Sequence, residues 1–134
     1  MSYHLPTSAG WLAHWQLLVA ASAVFNTVQN FCTLKLTRRL YNNVPAPTIT
    51  ALQARTFAVW TLTSAVVRAY AAYNINNKIM YDMAFLTYLI AFAHFSSELL
   101  IFRTASINVA VLSPVIVSTT SLVWMFTQYD FYVR

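Results

Sequence analysis

The sequence predicts an all-α membrane protein, a four-transmembrane-helix bundle with short loops. Three observations predict it. Hydrophobic residues make up 59% of the 134 residues and charged residues only 8%, against about 25% charged in an ordinary soluble domain. Four long apolar segments, near 11–34, 51–74, 79–102 and 114–132, take up most of the chain. Between Leu5 and Leu34, and again between Thr104 and Tyr129, no Asp, Glu, Lys or Arg occurs. A spanning helix needs roughly 20 mostly apolar residues, at ~1.5 Å rise each, to cross a hydrocarbon core about 30 Å thick. A soluble bundle would have too little polar surface to cover such a core. The whole of 1–134 therefore reads as one transmembrane domain.

The first apolar stretch is longer than a signal-peptide core and lacks a basic lead, so it reads as a retained span. Trp11 and Trp15 suit an interfacial anchor at its start. Lys35, Arg38 and Arg39 follow its end, and Asn42, Asn43, Pro45 and Pro47 break the chain. Thr50 with Gln53 has capping-box spacing, which starts the second span. Asn74 to Lys78 form a tight turn into the third. For the fourth, Ser113 as cap with Pro114 as first helical residue is preferred over a start at Thr104 with a kink at the proline. Residues 104–112 then lie along the membrane surface.

Lys35, Arg38, Arg39, Arg55 and Arg103 fall on one side of such a bundle, and Lys78 and Arg134 on the other. The positive-inside rule puts the first side in the cytosol and both termini in the lumen of an endomembrane compartment. Tyr3, Trp11, Trp15, Tyr70, Tyr73, Tyr81, Tyr129 and Tyr132 gather toward the side of the termini.

Polar side chains inside the spans fall on stripes: Ser22, Asn26, Gln29 or Asn30, and Thr33; Thr61, Ser64 and Arg68; Thr87, Ala91, His94 and Glu98. Such faces should meet other helices rather than lipid. Depth separates Arg68 from Glu98 by roughly 12 Å or more. It matches Glu98 with Arg55 or Arg103, and Arg68 with Asp82. Interhelical glue is the favoured reading of this set, with a proton path through His94 and Glu98 as the alternative. Small-residue stripes, Ala20/Ala23/Thr27 and Ala65/Ala69/Ala72, allow close packing within the bundle or between copies, so a homo-oligomer is compatible with the sequence.

Catalytic signatures are missing. His4, His14 and His94 are scattered, there is no HExxH motif, and a single glycine rules out a phosphate-binding loop. No cofactor, no metal and no catalytic residue is assigned. Cys32, the one cysteine, has no internal disulfide partner. Nucleic acid is not expected, because the net charge of +5 is explained by membrane orientation. Membrane lipid is a partner by construction. A weak cholesterol-type pattern runs through Val67, Tyr73 and Lys78, and Lys35, Arg38 and Arg39 could touch anionic lipid or an acidic partner surface.

Several of these stretches together carry a family likeness. They are Asn26-Thr27-Val28-Gln29 with Thr33-Leu34-Lys35 and Thr37-Arg38-Arg39; Ala54-Arg55-Thr56-Phe57 with Trp60-Thr61 and Ser64-Ala65-Val66-Val67-Arg68; Tyr81-Asp82; His94-Phe95 with Ser97-Glu98-Leu99 and Phe102-Arg103-Thr104; and Ser113-Pro114 with Thr119 to Met125 and Tyr129-Asp130-Phe131-Tyr132. In these the chain resembles the ergosterol biosynthetic protein 28 family along essentially its whole length. The resemblance implies a multi-pass endoplasmic reticulum protein with no catalysis of its own. It implies a tether for a sterol C4-methyl oxidase, a 3β-hydroxysteroid dehydrogenase/C4-decarboxylase and a 3-ketosteroid reductase, with a sterol C24-methyltransferase as a further partner in fungi. It hands over no catalytic residues. The competing readings are a sterol or lipid carrier with an intramembrane pocket and a small proton-coupled transporter.

Overall fold

A computed structural model describes residues 10–133. Tyr3, His4 and Arg134, which enter the sequence reading above, lie outside the described residues. The described chain is all-helical: α1 (Leu12–Cys32), α2 (Lys35–Leu40), a 3₁₀ turn (Ala46–Thr48), α3 (Ala51–Tyr73), α4 (Lys78–Leu100), α5 (Val109–Thr127) and α6 (Tyr129–Tyr132).

Local chemistry sets most of the boundaries. Gly10, the only glycine, has φ 83°, a left-handed conformation that glycine adopts without penalty. A Cβ there would also collide with the Tyr132 hydroxyl. The expected capping box at Thr50 is present. The Gln53 N–H donates to Thr50 Oγ1 at 3.2 Å, and the Thr50 N–H donates to Gln53 Oε1 at 2.8 Å. Asn77 caps α4 by accepting the Met80 N–H at 3.1 Å, directly after a turn closed by Asn77 N–H to Asn74 O at 2.9 Å.

The start of α5 differs from both sequence readings. The helix begins at Val109, so Pro114 is neither its first residue nor the hinge of a helix from Thr104. The cap is Asn108 rather than Ser113: its Oδ1 accepts the Val111 N–H at 2.9 Å, and its amide donates to the Arg39 carbonyl at 3.0 Å. Those two bonds offset the single helix bond that Pro114, lacking an N–H, cannot give to Ala110. The helix also stops at Thr127, and α6 follows as a separate turn after Gln128.

Packing is pairwise. α1 lies along α3, α5 along α4, and α3 joins the pairs by packing on α4, whereas α1 and α5 barely meet. The alanine stripes face each other inside this one chain, where Ala20, Ala23 and Ala65 form a buried cluster flanked by Ala69. That close approach lets the Thr27 hydroxyl donate to the Ala58 carbonyl at 3.3 Å across the pair.

The outer surface is apolar on all four long helices. Leu18, Phe25 and Val28 of α1, Val59 and Val66 of α3, Leu86 and Ile90 of α4, and Ile116, Val123 and Phe126 of α5 are exposed. Two helices, α4 with 23 residues and α5 with 19, are long and apolar enough to cross a membrane. α1 and α3 have comparable lengths, 21 and 23 residues. They carry more polar side chains, including Gln16, Asn26, Gln29 and Asn30 on α1 and Gln53, Arg55 and Arg68 on α3.

Candidate functional site

One end of the bundle gathers the C-termini of α1 and α4, the N-termini of α3 and α5, and all of α2. Its two connections, 33–50 and 101–108, are stitched together by asparagines. The Asn42 amide donates to the carbonyls of Arg39 at 3.1 Å and Ser106 at 3.0 Å, and its Oδ1 accepts the Ser106 N–H at 2.9 Å. Asn43 donates its backbone N–H to the Thr104 carbonyl at 3.0 Å and its amide to the Arg103 carbonyl at 2.7 Å. Arg103 carries φ 55°, an uncommon value for a residue with a Cβ.

These bonds make a platform of backbone that holds five cations outward. Lys35, Arg38, Arg39, Arg55 and Arg103 are all exposed, and none of them is in an ion pair among the described residues. Like charges gathered at one end of a bundle repel, and the hydrogen bonds between the connections act against that repulsion. A short-range neutralising partner from outside would be favoured there.

Beneath the platform His94 and Glu98, one helical turn apart on α4, each have a partner. The Tyr41 hydroxyl lies 2.5 Å from His94 Nε2, and the rings of Tyr41, Trp60 and Phe95 surround the imidazole with centroids at 5.8, 5.6 and 4.9 Å. Burial pushes the pKa of the Tyr41 hydroxyl well above its ordinary value, and the Glu98 charge adds to this. Tyr41 therefore keeps its proton, and its hydroxyl and His94 Nε2 share one hydrogen bond. Glu98 accepts from the Thr104 hydroxyl, a bond that ties α4 to the connection following it. Neither Arg55 nor Arg103 pairs with Glu98, because both point to the outside while the carboxylate is half-buried. A cavity of about 450 Å³ opens beside this group, walled by Tyr41, Leu52, Phe57, Trp60, His94 and Glu98.

The pairing of Arg68 with Asp82 is not made either. Asp82 is taken by Lys78, one turn back on α4, at 2.7 Å. Arg68 instead donates from Nε to Thr87 Oγ1 at 3.1 Å and lies over the Tyr88 ring at 4.1 Å. Arg68 and Glu98 do stay apart, as their depths require. Arg68 therefore joins α3 to α4, Glu98 joins α4 to the platform, and Asp82 stays at the opposite end.

Sequence reasoning missed Tyr41 and the asparagines. Tyr41 sits in a connection with no periodicity to mark it. The asparagines read as chain breakers, which they are, and only the fold reveals that they also join two connections some 60 residues apart in sequence.

The family model described as "Erg28 like protein" matches residues 12–123, from the start of α1 into α5. The chain belongs to this family. Its curated relatives carry the name ergosterol biosynthetic protein 28. The one from Saccharomyces cerevisiae is 44% identical over 124 residues, covering 92% of this chain and 83% of the relative. The one from Candida albicans is 42% identical over 128 residues, covering 96% and 92%. The human homolog is 39% identical over 115 residues, covering 85% and 81%. No solved structure matches. Membership supports a role in sterol biosynthesis, and the two apolar helices fit a membrane protein.

Proposed function

We propose that the chain is a non-catalytic scaffold of the endoplasmic reticulum membrane that tethers sterol C4-demethylation enzymes. All four long helices cross the bilayer in this reading, with the platform in the cytosol and both termini in the lumen. The apolar outer faces of α1 and α3 support four spans rather than two, because exposed patches of that extent are rare on soluble surfaces. Gln16 and Asn30 of α1 and Arg68 of α3 are buried, and the exposed Gln53 and Arg55 lie near the start of α3 at the platform end, so the apolar residues face lipid over most of both helices.

The observation that carries the reading is the platform: five exposed cations, in no ion pair among the described residues, at an end whose connections are joined by hydrogen bonds. Such a surface suits docking of acidic faces on the cytosolic domains of a sterol C4-methyl oxidase, a C4-decarboxylating 3β-hydroxysteroid dehydrogenase, a 3-ketosteroid reductase and, in fungi, a sterol C24-methyltransferase. Charges of this kind set association rate and partner choice more than raw affinity. Holding successive enzymes on one hub raises the effective concentration of each toward the next, to the mM range for short links. Hydrophobic intermediates that stay in the membrane plane gain most.

Affinity purification of the tagged chain in mild detergent tests this. Recovery of the C4-demethylation enzymes supports tethering, and deletion should then cause 4-methyl and 4-carboxy sterols to accumulate. Recovery of none of them, with an unchanged sterol profile, would contradict it.

A further inference from the structure

The gap between α1 and α5 is a cavity of about 510 Å³, bounded by both helix pairs. That volume lies within the roughly 300–1,000 Å³ of ligand pockets. The walls are largely apolar and aromatic, with Leu18, Phe57, Trp60, Phe95 and Val117 among them. Along α3 the cavity runs from Phe57 to Arg68, about 16 Å of helix. Its shape is therefore long and narrow, suited to a rigid lipid rather than a compact metabolite.

Two guanidiniums, Arg68 and Arg39, line this cavity, and no carboxylate does. Arg39 is exposed at the platform mouth. Arg68 is 8% exposed at the far end. Its Nε is satisfied by Thr87 and its face by the Tyr88 ring, and among the described residues the guanidinium makes no other hydrogen bond. A buried cation is costly to leave without a counter-charge. The fork of Nη donors that Arg68 retains is the geometry that matches a carboxylate or phosphate in a bidentate pair. Thr61 and Ser64 continue a polar line from Arg68 along α3 inside the cavity.

We propose that this cavity binds an amphiphile of sterol size through an oxyanion seated on Arg68, with its hydrophobic body lying between α1 and α5. This goes beyond tethering: the chain would hold a charged pathway-type lipid itself, whether or not enzymes are docked on the platform. Entry from the membrane plane between α1 and α5 leaves both helix pairs intact, on the platform side of the Trp15–Ser121 hydrogen bond that ties the two helices at 2.9 Å.

The test uses the full chain in phosphatidylcholine nanodiscs, with a radiolabelled steroid carboxylate and its methyl ester as probes. The acid should be retained at least about 10-fold more tightly than the ester, as expected for a hydrogen bond between charged groups. Arg68→Gln should remove that preference, and Arg68→Lys should keep part of it. Should Arg68→Gln fail to fold, Ser64→Leu narrows the cavity with the guanidinium intact and should abolish retention of both probes. Displacement of the acid by phosphatidic acid at equal concentration would support the oxyanion seat and assign it to a lipid headgroup. Equal retention of acid and ester, retention that survives both substitutions, or no retention of either steroid or of phosphatidic acid would overturn the proposal. Enzyme co-purification is a separate readout, so failure here and failure of the tethering reading are distinguishable.

Discussion

The two ends of the bundle both pack aromatic rings but differ in the charge they expose. At the end where α1 begins and α6 lies, buried tyrosines close the fold. Tyr132 is buried, accepts the Leu12 N–H at 3.2 Å, stacks on Tyr81, and gives its carbonyl to the Asn76 amide at 2.5 Å. The Tyr81 hydroxyl donates to the Met125 carbonyl at 2.6 Å. Lys78 pairs there with Asp82 at 2.7 Å. At the platform end, Tyr41, Phe57, Trp60 and Phe95 pack together beneath connections joined by hydrogen bonds, and five exposed cations are in no ion pair among the described residues. Both ends hold the helices together, and the platform end in addition presents positive charge. This arrangement is the one expected of the proposed scaffold, which must keep its shape while offering a docking surface.

That arrangement can be broken most severely at the closed end. Tyr132→Ala removes a fully buried ring that touches three elements, and should cost about 3 kcal/mol. Thermal unfolding in detergent would register it as a large drop in Tm. A change no larger than that of a surface substitution would mean the tyrosines are not what closes the bundle. At the platform end the expected losses are smaller, because each bond is replaceable by water. Asn108→Ala removes a helix cap and a tie to the Arg39 carbonyl, worth about 1 kcal/mol for the cap. Amide hydrogen exchange should rise locally at 109–111 while the closed end stays protected. Smallest of all, Lys78→Gln should leave both Tm and enzyme recovery unchanged, since an exposed pair one helical turn apart contributes little. Loss of enzyme recovery on that substitution would erase the distinction between the ends.

The sequence made the fold legible where local chemistry decides it. The capping box at Thr50, the turn at Asn74–Asn77 and the alanine stripes each carry their own signal, and all three appear where expected. Sequence failed at α5 because Ser113-Pro114 is a good helix start in isolation. Asn108 caps the helix locally through Val111 and is also tied to the Arg39 carbonyl, a group brought near by the fold. Charge pairing failed for a related reason. Depth matching found Asp82 for Arg68, but Lys78 lies one helical turn from that carboxylate. Tyr88 then supplied Arg68 with a π face that no charge count reveals. The gathering of Lys35, Arg38, Arg39, Arg55 and Arg103 on one end was readable from span parity alone. The Tyr41–His94 contact and the cavity at Arg68 needed three dimensions.

The central claim is that the platform's charge docks enzymes and does not support the fold. Neutralising Lys35, Arg38 and Arg39 together with glutamine, in a tagged chain recovered from membranes in mild detergent, separates these roles. The account predicts an unchanged Tm together with loss of most of the co-purifying sterol C4-demethylation enzymes. Full enzyme recovery by a stably folded triple variant would contradict it.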